Sequence, residues 1–379
     1  MNQKELNEIK KTMIPERNCI MKIAGCYVDT EKNIKTTINQ TFLMLTEEEQ
    51  FKYFELFKKG LSGKIGKNQI NLDFPIKEEK EGGCQAELMK ILDSGLDNEE
   101  ILNALYEKVI SLFSYPDNYY ILIGYGIYDI PGRTSDGNFV GDASEDVYKF
   151  LSCQICPIKP SKAGLSYDAK ENTIVNALRN MMVEHPIHGF LFPAFNDRNT
   201  DIHSVLYYTK KPEGVSDEIV EYILGCNSPA TAKNQSDIFI NAIEKSTENL
   251  NFEQAKNVCE NLKEMEFRCG DSEVPVVLDK KQSCKILEDS GISLECIETF
   301  EQIYESEVKE QGEVLLGNVF GGSDKMEIKA GNAKIVMPVE DAYYITVQKV
   351  DGNNCLVIKV VGDLTVNGMN INQINTCKQ

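Results

Sequence analysis

The chain has 379 residues, 42% of them hydrophobic and 26% charged, proportions that exclude disorder along its whole length. With 59 acidic against 40 basic residues its formal net charge is −19 and its pI about 4.8. That balance disfavours direct nucleic-acid binding without excluding it, repels anionic membranes, and suits solubility or an acidic face that docks a basic protein partner. No run approaches ~18 consecutive apolar residues, so no membrane-spanning helix is expected. The opening MNQKELNEIKKTMIPERN lacks the apolar core of a secretory signal, and twelve cysteines, mostly scattered singly, read as reduced thiols. The expectation is a cytoplasmic protein of two or three domains, at ~150 residues per domain.

Residues 19–28 and 35–45 are apolar-rich runs flanking Asp29-Thr30-Glu31-Lys32-Asn33, which predicts a hairpin. Thr46-x-x-Glu49 has the form of a capping box. Phe51, Phe54 and Phe57 then recur at helical spacing, and Gly60 offers a left-handed stop. Residues 68–74 read as a strand. After a polar stretch at 77–83, Asp97-x-x-Glu100 caps an amphipathic helix through Leu112.

Runs at 119–130, 148–158, 163–167, 189–195 and 204–209 are strand-like, with one helix expected around Ala177, Leu178, Met181 and Met182. Ser216 caps a short helix that stops at Gly225. Residues 236–310 are mostly helical in pattern, with Leu294, Ile297, Phe300, Tyr304 and Val308 on one stripe and Glu295, Glu298, Glu301, Glu305 and Glu307 opposite. Strands at 325–337, 343–350 and 356–361 follow, with Asp351-Gly352 and Asn367-Gly368 as turns. The expected architecture is α+β: a mainly antiparallel sheet with flanking helices on one face (1–232), an acidic helical segment (233–316) and a small β module (317–379).

Candidate chemistry concentrates between residues 153 and 209, which hold the one Cys-x-x-Cys and all three histidines. Cys153 and Cys156 have the spacing of a zinc half-site or a redox pair. No second pair completes the zinc set, and within a strand the two side chains face opposite sides. His185, His188 and His203, with Glu184, Asp197 and Asp201 nearby, supply the atoms of a metal site, although Pro186 disfavours the helix that would juxtapose the first two. Asp197-Arg198 lies in a loop between strands, where a guanidinium can orient a carboxylate toward a ligand or simply complete a tight turn. Lys159, Lys162, Arg179 and Arg198 are candidates for a local basic patch. Gly124-Tyr-Gly126 lacks the third glycine of a dinucleotide fingerprint, and Ser166 and Ser204 lack nucleophile-elbow context.

The run Gly189-Phe-Leu-Phe-Pro-Ala-Phe-Asn-Asp-Arg-Asn-Thr-Asp-Ile202, with Leu206-Tyr-Tyr-Thr209, resembles a family of Firmicutes proteins common in clostridia and catalogued as a domain of unknown function. Arg17-Asn18, Gly25-Cys26-Tyr27-Val28, Tyr128-Asp129-Ile130-Pro131, Cys153-Gln-Ile-Cys156-Pro157 and Val366-Asn-Gly-Met-Asn-Ile371 extend the resemblance over nearly the whole chain. The family pattern includes the paired cysteines and the Asp-Arg loop but not the three histidines. The resemblance implies a bacterial cytoplasmic origin and assigns no activity, cofactor or catalytic residue. The resulting expectation is a non-catalytic interaction or regulatory protein with no cofactor strongly implied. The alternatives are a hydrolase or nucleic-acid-processing enzyme with its site at 184–203, and a thiol sensor built on Cys153 and Cys156.

Overall fold

The computed structural model describes residues 1–133, 139–140, 146–162, 164–176, 180–270, 274–322 and 325–371. The chain forms two compact units, Met1–Lys233 with Glu273–Pro275, and Asn234–Ser272 with Val276–Gln379.

The first unit runs α1 (Gln3–Lys11), β1 (Ile20–Val28), β2 (Ile34–Thr41), α2 (Glu47–Gly60), β3 (Gln69–Asp73), α3 (Cys84–Ser94), α4 (Glu99–Leu112) and β4 (Tyr119–Asp129). Short strands β5 (Gly132–Arg133) and β6 (Phe139–Val140) precede the long β7 (Val147–Pro160). Then come β8 (Leu165–Asp168), β9 (Thr173–Asn176), β10 (Met181–Val183), β11 (His188–Phe192), β12 (Ala194–Asn196), β13 (Asn199–Asp201) and β14 (Ser204–Thr209). Eight of these strands make one sheet in the order β2-β1-β4-β7-β11-β14-β3, with β10 paired to the far end of β7. Every pairing in it is antiparallel.

Both faces of this sheet are covered, which corrects the one-sided arrangement expected from sequence. One face packs Ile121, Ile123, Cys153 and Phe190 against α3, α4 and the segment 219–224. The other packs Leu122, Phe150, Cys156 and Leu191 against α1 and α2. Phe57 of α2 lies directly on β4, where a Cβ on Gly124 would fall 2.6 Å from its ring. A Cβ on Gly126 would fall 2.2 Å from the Phe150 ring. The Gly-Tyr-Gly element thus makes room for aromatic rings on one face, each ring burial stabilising by about 2–3 kcal/mol.

Several local expectations change. Helix α1 is announced by an Asn2/Glu5 capping box that the apolar pattern alone does not reveal. Thr46 and Glu49 do form the reciprocal box that starts α2, but Gly60 stays helical and Leu61 caps the end at φ −108°. Gly60 is required instead by close approach, since a Cβ there would meet the Gln154 side chain at 2.0 Å. Helix α3, to which no sequence signal is assigned above, ends on Gly95 in the left-handed region at φ 57°. Asn98 rather than Asp97 caps α4. Met181 and Met182 lie in β10, paired with Lys159 and Pro160, where a helix was expected; Ala177 and Leu178 lie outside the described residues.

The second unit contains α5 (Ala232–Ser246), α6 (Phe252–Cys269), α7 (Lys280–Asp289) and α8 (Leu294–Gln311) around Phe239, Phe300 and Tyr304. The Phe300 and Tyr304 rings stack at 5.2 Å, and the Tyr304 hydroxyl donates to the Leu278 carbonyl at 2.7 Å. Three hairpins follow: β15 (Lys325–Ala330) with β16 (Ala333–Pro338), β17 (Ile345–Val350) with β18 (Asn353–Ile358), and β19 (Thr365–Val366) with β20 (Met369–Asn370). The run 325–337, expected as one strand, folds back at Gly331, whose φ is 59°. Asp351-Gly352 and Asn367-Gly368 make the predicted turns, with both residues of each pair at positive φ.

Candidate functional site

The Asp197-Arg198 turn joins β12 to β13 with Asn196 opposite Asn199, both central residues being left-handed at φ 50° and 58°. This two-residue hairpin turn is built without glycine. Tertiary bonds from Arg198 offset its backbone cost. The Arg198 guanidinium donates to Glu8 Oε1 of α1 from Nη2 at 2.9 Å and from Nε at 3.3 Å, and to the Pro131 carbonyl at 3.2 Å. Its backbone N–H donates to the buried Glu5 carboxylate at 3.2 Å. Tyr128 adds its hydroxyl to the same Glu8 oxygen at 2.8 Å. Arg198 is therefore a clamp between the hairpin and α1. Asp197 is exposed on the turn, and its carbonyl accepts from the Asn199 amide at 3.3 Å.

Asp201 accepts from Asn196 Nδ2 at 2.6 Å, from Ser204 Oγ at 2.9 Å and from the His203 N–H at 3.0 Å. Burial pushes its pKa up, but these donors outweigh it and hold the carboxylate below its ordinary value. Ser204 Oγ also reaches Asp73 at 2.8 Å, tying the hairpin to the sheet edge.

The three histidines are kept apart by separate partners. His185 is half-buried and its Nε2 lies 3.0 Å from the Glu55 carboxylate of α2. His203 pairs with Glu79 at 2.8 Å, and that carboxylate raises its pKa. His188 is partly buried on the opposite face from α2: its ring lies edge-on to Phe113 and its Nδ1 shares a 2.8 Å hydrogen bond with the Tyr207 hydroxyl. Tyr207 also accepts the Ser216 N–H at 3.1 Å. Burial holds the His188 pKa at about 4, with Glu218 opposing. His188 pairs with Thr209 at one end of β14 while His203 precedes its other end, a separation of about 20 Å at ~3.3 Å per residue. Among the described residues no group of three or more His, Cys, Asp or Glu side chains is placed to hold a metal ion. Among the described residues Arg198 and the three histidines are each bonded to a different partner.

Cys153 and Cys156 sit in β7 on opposite faces of the sheet, Cys153 in the core under α3 and α4 and Cys156 in the core under α1 and α2. Burial pushes the Cys153 thiol up to about 12 and raises Cys156 further, the reverse of what an active thiolate needs. Gln154 between them is fully buried and donates to Ser152 Oγ at 3.1 Å. Gly189 and Gly60 close over it, so this stretch reads as packing. Lys159 lies twelve residues along β7 from the Val147 end, about 40 Å at ~3.3 Å per residue, whereas Arg198 contacts the Pro131 segment beside that end. They form no common patch, and Arg179 lies outside the described residues. Sequence reading missed Glu5 and Glu8, the partners of the Arg198 clamp, although the Asn2-x-x-Glu5 box marked their helix.

A family model described as Domain of unknown function (DUF4317) matches residues 1–369. No curated protein and no solved structure matches the chain.

Proposed function

The chain belongs to that family, whose description assigns no chemistry, and from the chain's own surfaces we propose that it is a non-catalytic interaction or regulatory protein. The observation that carries this reading is the apolar surface of the C-terminal hairpins. Val347, Val350, Val357, Ile358 and Val366 are between 36% and 50% exposed on two-stranded ribbons whose outer edges pair with no other strand among the described residues. Isolated ribbons are marginal in water, and exposed apolar edges are templates for another strand.

The charge of the same unit selects the partner. Residues 234–316 carry 19 acidic against eight basic residues, whereas 317–379 carry six of each. A partner suited to both surfaces is a protein offering an extended apolar segment flanked by Lys or Arg, with strand addition supplying affinity and the acidic helices steering approach. The division of labour follows 1–232, 233–316 and 317–379, with the first part as scaffold. Cytoplasmic residence and a Firmicutes origin belong to the same reading. Two observations support it against an enzyme at 184–203: Arg198 and the histidines are each engaged by separate local partners, and Asp197 stands apart on an exposed turn.

Co-purification of the full chain at low and high salt tests the proposal. A basic protein that is retained at low salt and lost both at high salt and in the Val357→Lys, Ile358→Lys double variant is the expected result. Retention unchanged by that variant contradicts it.

A further inference from the structure

A second surface, on the first unit, runs against the charge of the chain. The last turn of α1 and the outer stripe of α2 enclose a shallow groove of about 570 Å³, whose lining includes Lys10, Phe51, Lys52, Glu55, Lys58 and Lys59. Lys52 is already paired with Glu48 at 2.8 Å, and the Glu55 carboxylate is turned to the His185 ring, its oxygen 3.0 Å from Nε2. Among the described residues no ion pair joins Lys10, Lys58 or Lys59 to an acid, in a chain with nineteen more acids than bases. Lys10 is partly buried, and desolvation together with the nearby Lys59 and Lys58 ammonium groups pushes its pKa down.

Lysines in the last turn complement a helix dipole, and this accounts for each of the three taken singly. It does not account for their meeting at one concavity, where they repel one another. An anion seated among them removes that repulsion. Phe51 lines the same groove and is 57% exposed, an apolar wall beside the cations where an exposed helix face would ordinarily be polar.

We propose that this groove binds a phosphorylated small molecule carrying an apolar or aromatic portion, with Lys10, Lys58 and Lys59 neutralising the phosphate and the Phe51 ring packing on the apolar part. The size is that of a small-ligand site, and lysines recognise phosphate as point charges without the fixed geometry that arginine imposes. The site is independent of the hairpin surface and stands or falls separately.

The test is isothermal titration of the full chain with phenyl phosphate, inorganic phosphate and phenol. Phenyl phosphate is expected to bind with a dissociation constant of about 1 mM or tighter, and more tightly than either fragment. Lys10→Gln with Lys58→Gln should weaken it by about tenfold or more, and Phe51→Ser should bring it to the level of inorganic phosphate. Circular dichroism confirms that each variant is folded. Absence of binding at several times that concentration, or binding unaffected by the lysine substitutions, overturns the proposal. Phenol binding as tightly as phenyl phosphate overturns it equally, because the cations would then be idle.

Discussion

The two units place their apolar strands in opposite circumstances. In the first, β4 and β7 run through the middle of a sheet covered on both faces, and nearly every side chain from Tyr119 to Gly124 and from Phe150 to Ile158 is buried. In the second, among the described residues, β17 and β18 pair with each other and with no further strand, and leave Val347, Val350, Val357 and Ile358 between 36% and 47% exposed. The sequences of the two regions are comparably apolar. The difference lies in whether the chain itself supplies a cover, and it separates a scaffold from a surface still open to a partner. Polar residues follow the same division: Arg198, Asp201 and His188 are absorbed into bonds that hold the first unit together.

The largest expected effect is in the doubly covered sheet. Phe57→Ala should destabilise the first unit by about 3–5 kcal/mol in urea unfolding, by loss of burial and creation of a cavity over Gly124. A loss below about 1 kcal/mol would break the contrast at its root.

Next is His188. Its folded pKa of about 4 lies below the ordinary 6.5, so the unfolded chain binds the extra proton. The stability it contributes is fully present above pH 6.5 and is lost as pH falls toward 4, about 2 kcal/mol between pH 7 and pH 5. Urea titrations at those two pH values should show a smaller difference for His188→Gln, which keeps an acceptor for Tyr207 but cannot titrate.

Arg198→Met should cost about 2 kcal/mol by removing the guanidinium bonds to Glu8 and the Pro131 carbonyl, while the backbone bond to Glu5 stays, whereas Asp197→Asn on the exposed turn should stay within about 0.5 kcal/mol. Equal effects of the two would sharpen attention on Asp197 as a working residue. Smallest is Val357→Thr in β18, within about 0.5 kcal/mol by the same assay. A larger loss would mean that the hairpin is already covered.

Much of the fold was legible where a local signal carries its own mechanism. The Thr46/Glu49 box, the Asp351-Gly352 turn and the Ile297-Phe300-Tyr304 stripe each satisfy hydrogen bonds or burial within a few residues. What escaped depends on tertiary cover. The unbroken apolar runs of β4 and β7 already signal strands buried on both faces, since a one-sided sheet requires alternation. The requirement at Gly60 arises from Gln154, ninety-four residues away, and no local pattern contains it. Met181 and Met182 have helical spacing, yet pairing with β7 overrides it. At the candidate site, the clustering of histidines in sequence did not survive folding, because successive strand ends and opposite sheet faces separate them. Lys10 stands far in the chain from the adjacent Lys58 and Lys59 and meets them only through the packing of α1 beside α2.

The most direct test of the interaction reading is a photo-crosslinking residue placed at Val357, with Met44, 84% exposed on the first unit, as the control position. The account predicts that position 357 gives one dominant adduct in living cells, whose crosslinked peptide is an apolar segment flanked by Lys or Arg, and that position 44 gives none. No adduct at 357, or adducts mapping to an acidic segment or to a second copy of this chain, would contradict it.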